Sequence, residues 1–364
     1  MTISITVGAG QSVAASPGHI YEWGKPVAPG GPGDVPYADQ TLNDVQIDAG
    51  NMADVAVLTN GTIAAWGGKP LANSSMTAEI LPNVSNVVER PVDGNGSFDF
   101  LEQPGKDSAC PNSTTVVIWP LGKNYAEPQV LSALNCLNVV QLAAGADHTF
   151  ALTASGQVYV WGDDGSVLGL GPNVKREKSP TLNPSLTRLT NGTSQGIEIT
   201  AGSRTGGMLV NGQAYCWGAD SEDQCGTGSR AAYIYRPTAV DQGSLTFTFI
   251  DQGGNYYYNG HTLAMASNGS VWAWGDNAEG QLGNGTTINQ NVPVPVSGLP
   301  GNIVDVRAGG IHSMALDAKG NVWTWGSNDN GQIGDGTNTN QLVPIEVLSG
   351  VSMISAGSLH SLAQ

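Results

Sequence analysis

Apolar and polar residues alternate in short runs along the chain, and glycine bounds many of these runs. The run from Val322 to Trp325 reads Val-Trp-Thr-Trp, a period of two that places successive side chains on opposite faces of a strand. Asn-Gly pairs at positions 60–61, 211–212 and 268–269 precede three such runs, and Asn-Gly is a strong hairpin signal. The pattern predicts short antiparallel strands joined by tight turns.

One motif, Gly-x-apolar-x-x-Trp-Gly, recurs along the sequence and marks a repeating unit. Its tryptophans are Trp23, Trp66, Trp161, Trp217, Trp274 and Trp325. The copies at residues 269–285 and 320–336 also share a Gly-Gln-Leu/Ile-Gly ending, and a degenerate copy at 114–120 keeps Trp119 but loses both glycines. The spacing of the seven tryptophans predicts seven units of about fifty residues.

A second landmark precedes most copies of this motif. It is a run ending in Ala-Gly or Gly-Gly, followed three positions later by His or a small residue, and it is clearest in residues 47–61, 142–156 and 306–320. The histidines at this position are His148, His261, His312 and His360. Because they recur at one place in different units, we expect hydrogen bonds to backbone where units meet, rather than a metal or acid–base site.

These signatures resemble the repeat of the regulator of chromosome condensation family. The resemblance covers nearly the whole chain, is strongest in units six and seven, and is nearly absent in residues 68–137. It implies an all-β fold, a seven-bladed β-propeller with four-stranded antiparallel blades, which we expect as one domain over residues 1–364. Both termini offer strands to one blade, so we expect the ring to close by pairing of the N- and C-terminal segments. Residues 1–10 would then be free or swapped into a neighbouring subunit.

Charge narrows the class of partner. The chain of 364 residues has a net charge of -16 and only 14 Lys and Arg, which disfavours nucleic acid and anionic membranes, since both require a basic surface. We also expect no membrane insertion and no signal peptide, because the sequence offers neither a long apolar run nor a basic start. No catalytic or cofactor motif rises above chance, so we expect no catalytic residues, no cofactor and no metal.

The four cysteines leave two interpretations open. They are Cys110, Cys136, Cys216 and Cys225. Two disulfides could form, but buried free thiols are an equal alternative. Cys225 stands where Leu282 and Ile333 stand in their units, so an apolar plug is the simpler interpretation, and a bridge to Cys216 is the alternative.

Departures from the repeat predict where function lies, because the scaffold does not require them. Unit six carries five extra residues, and the adjacent tyrosines there could form an adaptable contact surface or simply cover the edge of the ring. A second departure combines aromatic residues with scarce arginines, and a third is residues 88–114. The candidate contact residues are Asn255, Tyr256, Tyr257, Tyr258, Arg230, Tyr233, Tyr235 and Arg236. We expect the repeated tryptophans to pack between blades rather than to bind sugars.

The sequence favours a non-enzymatic scaffold, and its composition suggests one setting for it. Abundant Gly with little charge and no secretion signal is typical of a virion surface, so a phage decoration or tail protein is the first hypothesis, with capsid or tail proteins as partners. One alternative is a cytoplasmic propeller that binds a protein partner, as an exchange factor for a small GTPase or an enzyme inhibitor, both of which the resemblance implies. Another is a lectin-like module that binds a surface glycan. A homo-oligomer formed through the terminal strand is also open.

Overall fold

The computed structural model consists of short strands separated by turns, as the alternation predicts. It describes residues 13–14, 19–24, 37–41, 44–49, 53–67, 79–80, 87, 92–94, 97–102, 110, 113–120, 129–254 and 260–364. The described strands form seven sheets. We number the sheets by the chain position of their third strand, which carries the tryptophan of the motif.

Sheets 4 to 7 are each built on four strands that pair antiparallel in chain order, and sheet 7 has a fifth strand at its edge. Sheet 4 consists of Val139–Ala144, His148–Thr153, Val158–Gly162 and Glu177–Leu182. Sheet 5 consists of Ile197–Ala201, Thr205–Val210, Gln213–Ala219 and Tyr233–Ala239. Sheet 6 consists of Phe247–Gln252, His261–Ala266, Val271–Gly275 and Gln290–Pro295. Sheet 7 consists of Ile303–Ala308, His312–Asp317, Val322–Gly326 and Gln341–Ser349.

Sheets 1 to 3 follow the same antiparallel order. Sheet 1 consists of Ile354–Ala356, His360–Ala363, His19–Gly24 and Tyr37–Thr41. Sheet 2 consists of Asp44–Ala49, Ala53–Leu58, Ile63–Gly67 and Glu79–Ile80. Sheet 3 consists of Val92–Gly94, Ser97–Glu102, Thr115–Pro120 and Gln129–Val130. The described helices are one α-helix, α1 (Pro184–Thr190), and two 3-10 turns, Ser132–Leu134 and Gly165–Val167.

The prediction of an all-β propeller is confirmed, but its count of seven blades is not supported by the regular repeat. Six sheets carry the Trp-Gly strand of the motif, whereas sheet 3 carries the degenerate copy, and its first and fourth strands have only 3 and 2 residues. Sheet 7 also departs from the predicted four strands, because Val13–Ala14 lies parallel to Leu348 and Ser349 on its outer edge. The regular repeat therefore accounts for six sheets.

Sheet 1 combines strands from both ends of the chain. Tyr21 pairs with Ala363, and Gly24 pairs with His360, in antiparallel register. The first ten residues, for which the sequence predicts a free or swapped strand, lie outside the described residues.

The tryptophan of one sheet packs against an apolar residue from the loop of the preceding sheet. Three such pairs share a core cluster: Leu168 with Trp217, Cys225 with Trp274, and Leu282 with Trp325. The glycine after the apolar residue lets the indole approach, because a Cβ at Gly226 would lie 2.6 Å from Cδ1 of Trp274. The Gly-Gln-Leu-Gly ending of the motif thus supplies the apolar residue and the glycine that pack against the tryptophan of the next sheet.

The Ala-Gly turns join neighbouring sheets near the centre of the propeller, where the first strands contact one another. The amide of Ala146 donates to the carbonyl of Ser203 at 3.1 Å, and the amide of Gly254 donates to the carbonyl of Gly309 at 3.0 Å. A Cβ at Gly202 would lie 2.6 Å from the carbonyl oxygen of Gly253 in the next sheet. Glycine is therefore required at this turn for the sheets to approach each other.

All four cysteines are bridged, so the interpretation of buried free thiols is wrong. Cys110 pairs with Cys136, and Cys216 pairs with Cys225. The second bridge joins the third strand of sheet 5 to the loop that follows it. Cys225 is nevertheless fully buried beside Trp274, so it fills the seam as Leu282 does while being covalently bound.

Replacing Gly202 with Ala should destabilise the protein by about 1–3 kcal/mol, because the added methyl group overpacks a seam of two backbones. Gly301→Ala is the matched control, since a Cβ at Gly301 meets nothing within 4 Å and neither glycine has a positive φ. Thermal unfolding of the two variants measures the difference. Equal stability of both variants would contradict the role assigned to the Ala-Gly turn.

Candidate interaction surface

The Ala-Gly turns and the loops that follow the third strands lie at the same end of the sheets. This follows from the register, in which the first residue of the second strand pairs with the glycine after the tryptophan. The pairs are His148 with Gly162, Thr205 with Gly218, His261 with Gly275 and His312 with Gly326. We call this end of sheets 4 to 7 the loop face. It carries the start of the segment from Arg230 to Arg236, which the sequence predicts to make contacts.

The loop face of sheets 4 and 5 holds an arginine and two stacked tyrosines. Tyr233 and Tyr235 lie two residues apart on the outer strand of sheet 5, with ring centroids 5.8 Å apart and planes at 20°. The Nη2 of Arg204 donates to the hydroxyl of Tyr233 at 2.6 Å, and its guanidinium lies 5.7 Å from the centroid of that ring. Tyr235 is 37% exposed. The three side chains form a ladder whose outer end is open to a ligand.

Acidic side chains surround Arg204. Its Nη2 lies 3.5 Å from Oδ2 of Asp164. Burial would raise the pKa of Asp164, but hydrogen bonds from Ser166 and the charge of Arg204 lower it below its ordinary value. Burial raises the pKa of Asp147, and the neighbouring carboxylates of Asp164 and Asp163 raise it further. Arg204 is therefore the cation that offsets a concentration of negative charge.

The remaining predicted contact residues fall into two groups. Arg230 has a side chain 81% exposed and 3.9 Å from Oδ1 of Asp223, and Arg236 donates to Oγ of Ser185 at 3.5 Å. The tyrosine insertion, Asn255 with Tyr256–Tyr258, lies outside the described residues.

Sequence reasoning missed Arg204, which makes the main contacts of this surface. Its signal was available, because it is one of only 14 basic residues and precedes the second strand in an Ala-Gly turn. The insertion begins beside that turn, since a Cβ at Gly254 would lie 3.3 Å from Cβ of Ser203. Such a residue should be sought at turn positions that differ from unit to unit and lie beside the repeated landmark.

The loop after the third strand of sheet 5 differs from its equivalents at a buried position. Asn277 in sheet 6 accepts from the amide of Leu282 and donates to the carbonyls of Thr286 and Ile288. Asn328 does the same in sheet 7. Sheet 5 has Asp220 here, which accepts from the amide of Cys225 at 2.9 Å.

Asp220 is only 1% exposed, and its carboxylate accepts hydrogen bonds from the backbone amides of Cys225 and Ala231. Burial raises the pKa of Asp220 to about 6, and the nearby charge of Asp223 adds to the effect. Unlike asparagine, a carboxylate cannot donate to a carbonyl, so this loop has lost the hydrogen bonds that Asn277 makes. The loop leads directly into the segment from Arg230 to Arg236.

The landmark histidines lie in separate seams and do not converge. Their Nε2 atoms contact the next sheet: His148 at the carbonyl of Thr205 (3.1 Å), His261 at Oγ of Ser313 (2.7 Å), His312 at Oγ of Ser361 (2.9 Å) and His360 at Oδ1 of Asp54 (2.8 Å). Burial lowers the pKa of His148 to about 4 and those of His261 and His312 to about 3. These three rings are neutral at pH 7.

His360 differs from the other three because its partner is a carboxylate. Burial would lower the pKa of His360, but the charges of Asp54 and Glu22 raise it to about 8. These three residues, all buried, bring possible ligand atoms within 4.8 Å of one another. The 2.8 Å between Nε2 and Oδ1 is a hydrogen-bond distance, and we interpret the contact as an ion pair between an imidazolium and a carboxylate. It joins sheet 1 to sheet 2.

Comparisons with known proteins agree on the family. The sequence profile of the family described as "RCC1-like domain" matches residues 2–363. The human E3 ubiquitin-protein ligase HERC2 is 28% identical over 353 residues, which cover 90% of this chain but 7% of HERC2. The ultraviolet-B receptor UVR8 of Arabidopsis thaliana is 30% identical over 236 residues, which cover 64% of this chain and 51% of UVR8.

A solved structure supports the same fold. Prp20p from Saccharomyces cerevisiae superposes with a TM-score of 0.75 at 18% identity, over 98% of this chain and 92% of Prp20p. At this identity the likeness concerns the fold alone. The relatives are cellular proteins, and they give no support to the hypotheses of a virion or phage protein, of capsid or tail partners, or of a glycan ligand. In the described part of the chain, no helix has the length and hydropathy needed to cross a membrane.

Replacing Asp220 with Asn should stabilise the protein at pH 7.5 by about 1–3 kcal/mol, at 1.36 kcal/mol per pKa unit. The folded-state pKa of about 6 lies above the ordinary value of 3.8. The stability that protonation of Asp220 contributes is therefore complete below pH 3.8 and lost as pH rises through 6. The variant should lack this dependence, as measured by chemical denaturation from pH 4 to 8. Asn277→Asp is the reciprocal control and should destabilise sheet 6 at pH 7.5. Stabilisation by both substitutions would refute the explanation.

Replacing Asp54 with Asn should destabilise the protein by about 2 kcal/mol at pH 6, where His360 is charged. The folded-state pKa of His360, about 8, exceeds the ordinary 6.5. The stability contributed by this pair is thus complete below pH 6.5 and lost as pH rises through 8. Denaturation curves between pH 6 and 9 should show this loss in the wild type but not in Asp54→Asn. Ser313→Ala is the control, because it removes the equivalent contact of a neutral histidine and should cost the same at every pH in this range.

Proposed function

The chain belongs to the RCC1-like domain family, and we propose that it is a non-enzymatic β-propeller scaffold that binds a protein partner through its loop face. In this proposal residues 1–364 are a single domain, and sheet 3 completes the ring as a divergent seventh blade. The partner occupies the loop face of sheets 4 to 6. The tyrosine insertion and the segment from Arg230 to Arg236 contribute to its contact surface.

The observation that carries the proposal is the replacement of a scaffold contact by the arginine–tyrosine ladder. In sheets 6 and 7 an asparagine just before the outer strand binds a glutamate of the preceding sheet: Asn289 binds Glu222, and Asn340 binds Glu279. The equivalent residue of sheet 5 is Tyr233, which binds Arg204 instead. The scaffold requires only the small amide here, so the larger aromatic group with an exposed neighbour, Tyr235, is better explained by contact with a partner.

The relatives support a protein as the ligand. The structure of Prp20p was described together with that protein's binding to Gsp1p and histones, and yeast RCC1 (Prp20) has also been described bound to Kap60. The exchange-factor and inhibitor hypotheses are narrower forms of our proposal. The ligase activity in the name of HERC2 is not part of it, because the chain matches 7% of that protein.

Affinity capture with the full chain tests the proposal. Wild-type protein should enrich at least one protein that the double variant Tyr233→Ala/Tyr235→Ala captures about tenfold less, since buried aromatic contacts contribute more than 1 kcal/mol each. Val304→Ala is the control, because Val304 is 53% exposed and is the second residue of the first strand of sheet 7, near the end opposite the loop face. Unfolding temperatures should agree for all three proteins. Identical captured proteins for wild type and double variant would refute the proposal.

A further inference from the structure

Half of the basic residues of the chain lie in a short stretch of sequence. Residues 163–236 contain seven of the 14 Lys and Arg but only seven of the 30 Asp and Glu. The net charge of -16 therefore falls entirely on the rest of the chain. The stretch runs from the loop after the third strand of sheet 4 to the outer strand of sheet 5, and its own charges sum to zero in a chain that is otherwise strongly acidic.

These seven basic side chains are all exposed. They are Lys175, Arg176, Lys178, Arg188, Arg204, Arg230 and Arg236, and we call them the basic sector. Two other described basic residues lie elsewhere: Arg307 is held by Asp305 at 3.0 Å, and Lys319 lies in a turn of sheet 7.

The tertiary structure brings the basic sector together from both sheets. The guanidinium of Arg236 crosses from sheet 5 to sheet 4, because a Cβ at Gly171 would lie 3.1 Å from its Nη2. Its Nη1 donates to Ser185 at the start of α1, the helix that carries Arg188. On the other side, the carbonyl of Lys175 accepts a hydrogen bond from the amide of Gly165. Gly165 follows Asp164, which forms the ion pair with Arg204. These contacts bring basic residues of sheet 5 against the loop and helix of sheet 4.

Within the described part of the protein, ion pairs hold only two of these seven basic side chains. Arg204 and Arg230 lie 3.5 and 3.9 Å from carboxylates. The other five have no ion pair among the residues that the structure describes. Acidic side chains are also present, notably Glu177, whose Oε2 accepts from the hydroxyl of Thr181. Residues 175–188 nevertheless contain four basic groups and this single acid.

We propose that the basic sector binds an acidic segment of a protein partner, an inference that rests on the proposed scaffold function. Guanidinium groups pair with carboxylates through two parallel hydrogen bonds, which favours Arg188 and Arg236 as the specific contacts. Tyr235 precedes Arg236 on the outer strand of sheet 5.

The negative charge of the other sheets favours a short acidic segment over a nucleic acid as the ligand. Electrostatic interactions are screened beyond about 10 Å at 0.1 M salt, so a segment confined to sheets 4 and 5 does not experience the acidic sheets beyond them. An extended duplex would run onto those sheets and be repelled. The same argument explains how a protein of net charge -16 can select an acidic ligand.

Binding of defined probes to the full chain tests the proposal. The probe is a short fluorescein-labelled peptide of alternating Glu and Gly, followed by fluorescence anisotropy, with a Gln-Gly peptide and a single-stranded oligothymidylate as comparisons. The Glu-Gly peptide should bind, and its affinity should fall as salt rises. Arg188→Glu should weaken it about tenfold, equivalent to 1.4 kcal/mol. Lys319→Glu, an equal change of charge at an exposed site in sheet 7, should change it less than about twofold.

Four outcomes would overturn the proposal. Equal weakening by Arg188→Glu and Lys319→Glu would show a response to net charge alone, and equal binding of the Gln-Gly peptide would remove the role of carboxylates. Tighter binding of oligothymidylate would assign the surface to nucleic acid. Self-association that Lys175→Glu/Arg176→Glu abolishes would assign it to a second copy of the chain.

The same variants separate this proposal from the scaffold function on which it rests. A partner that is lost from Tyr233→Ala/Tyr235→Ala but retained by Arg188→Glu would leave the scaffold function intact and refute the acidic segment. Loss of the partner from both variants, with Lys319→Glu unaffected, supports both proposals. If the wild type captures no partner but binds the Glu-Gly peptide specifically, the scaffold function would be refuted and the preference for an acidic ligand would stand.

Discussion

The seam between neighbouring sheets is the interaction on which the rest of the structure depends. Each sheet has two largely apolar faces and cannot bury them alone, so it must pack between two others. The sequence meets this need with a few recurring contacts: an indole against the apolar residue of the preceding loop, a histidine against the next sheet, and glycines where backbones approach. The motif is therefore a description of the seam rather than of any single sheet, as the pair of Leu282 and Trp325 illustrates.

This repetition leaves the loops free to vary, and the loop after the third strand of sheet 5 departs from its equivalents in sheets 6 and 7 at several positions. Relative to sheets 6 and 7, an asparagine is replaced there by Asp220, and the apolar residue that packs on the tryptophan is replaced by the disulfide-bonded Cys225. The asparagine that binds a glutamate is replaced by Tyr233. A left-handed conformation that Gly280 and Gly331 adopt in the next two sheets is adopted here by Asp223, with φ of 66°. Left-handed non-glycine residues are unfavourable and concentrate at functional sites. These four departures, in one loop and at the start of the strand that follows it, are the reason for proposing that this part of the ring contacts a partner.

The seam also explains why one histidine differs from the others. The same geometry that keeps His148, His261 and His312 neutral makes His360 a cation, because its neighbour in sheet 2 is Asp54 instead of a hydroxyl or carbonyl group. Sheet 1 contains strands from both ends of the chain, so no covalent connection within it holds those strands together. A buried ion pair at this place adds a directional contact where the chain itself supplies none.

The sequence alone determined the repeat, the strand pattern and the class of fold, because Trp, Gly and His must recur wherever the same seam is rebuilt. It also indicated the segment from Arg230 to Arg236, since residues that the seam does not need stand out against a regular pattern. It could not indicate Arg204 as the partner of Tyr233, because these residues are 29 positions apart and neither belongs to a motif. Only the tertiary structure joined basic residues from two sheets, paired the cysteines and placed an aspartate beside His360, since each of these depends on which loops face one another across a seam.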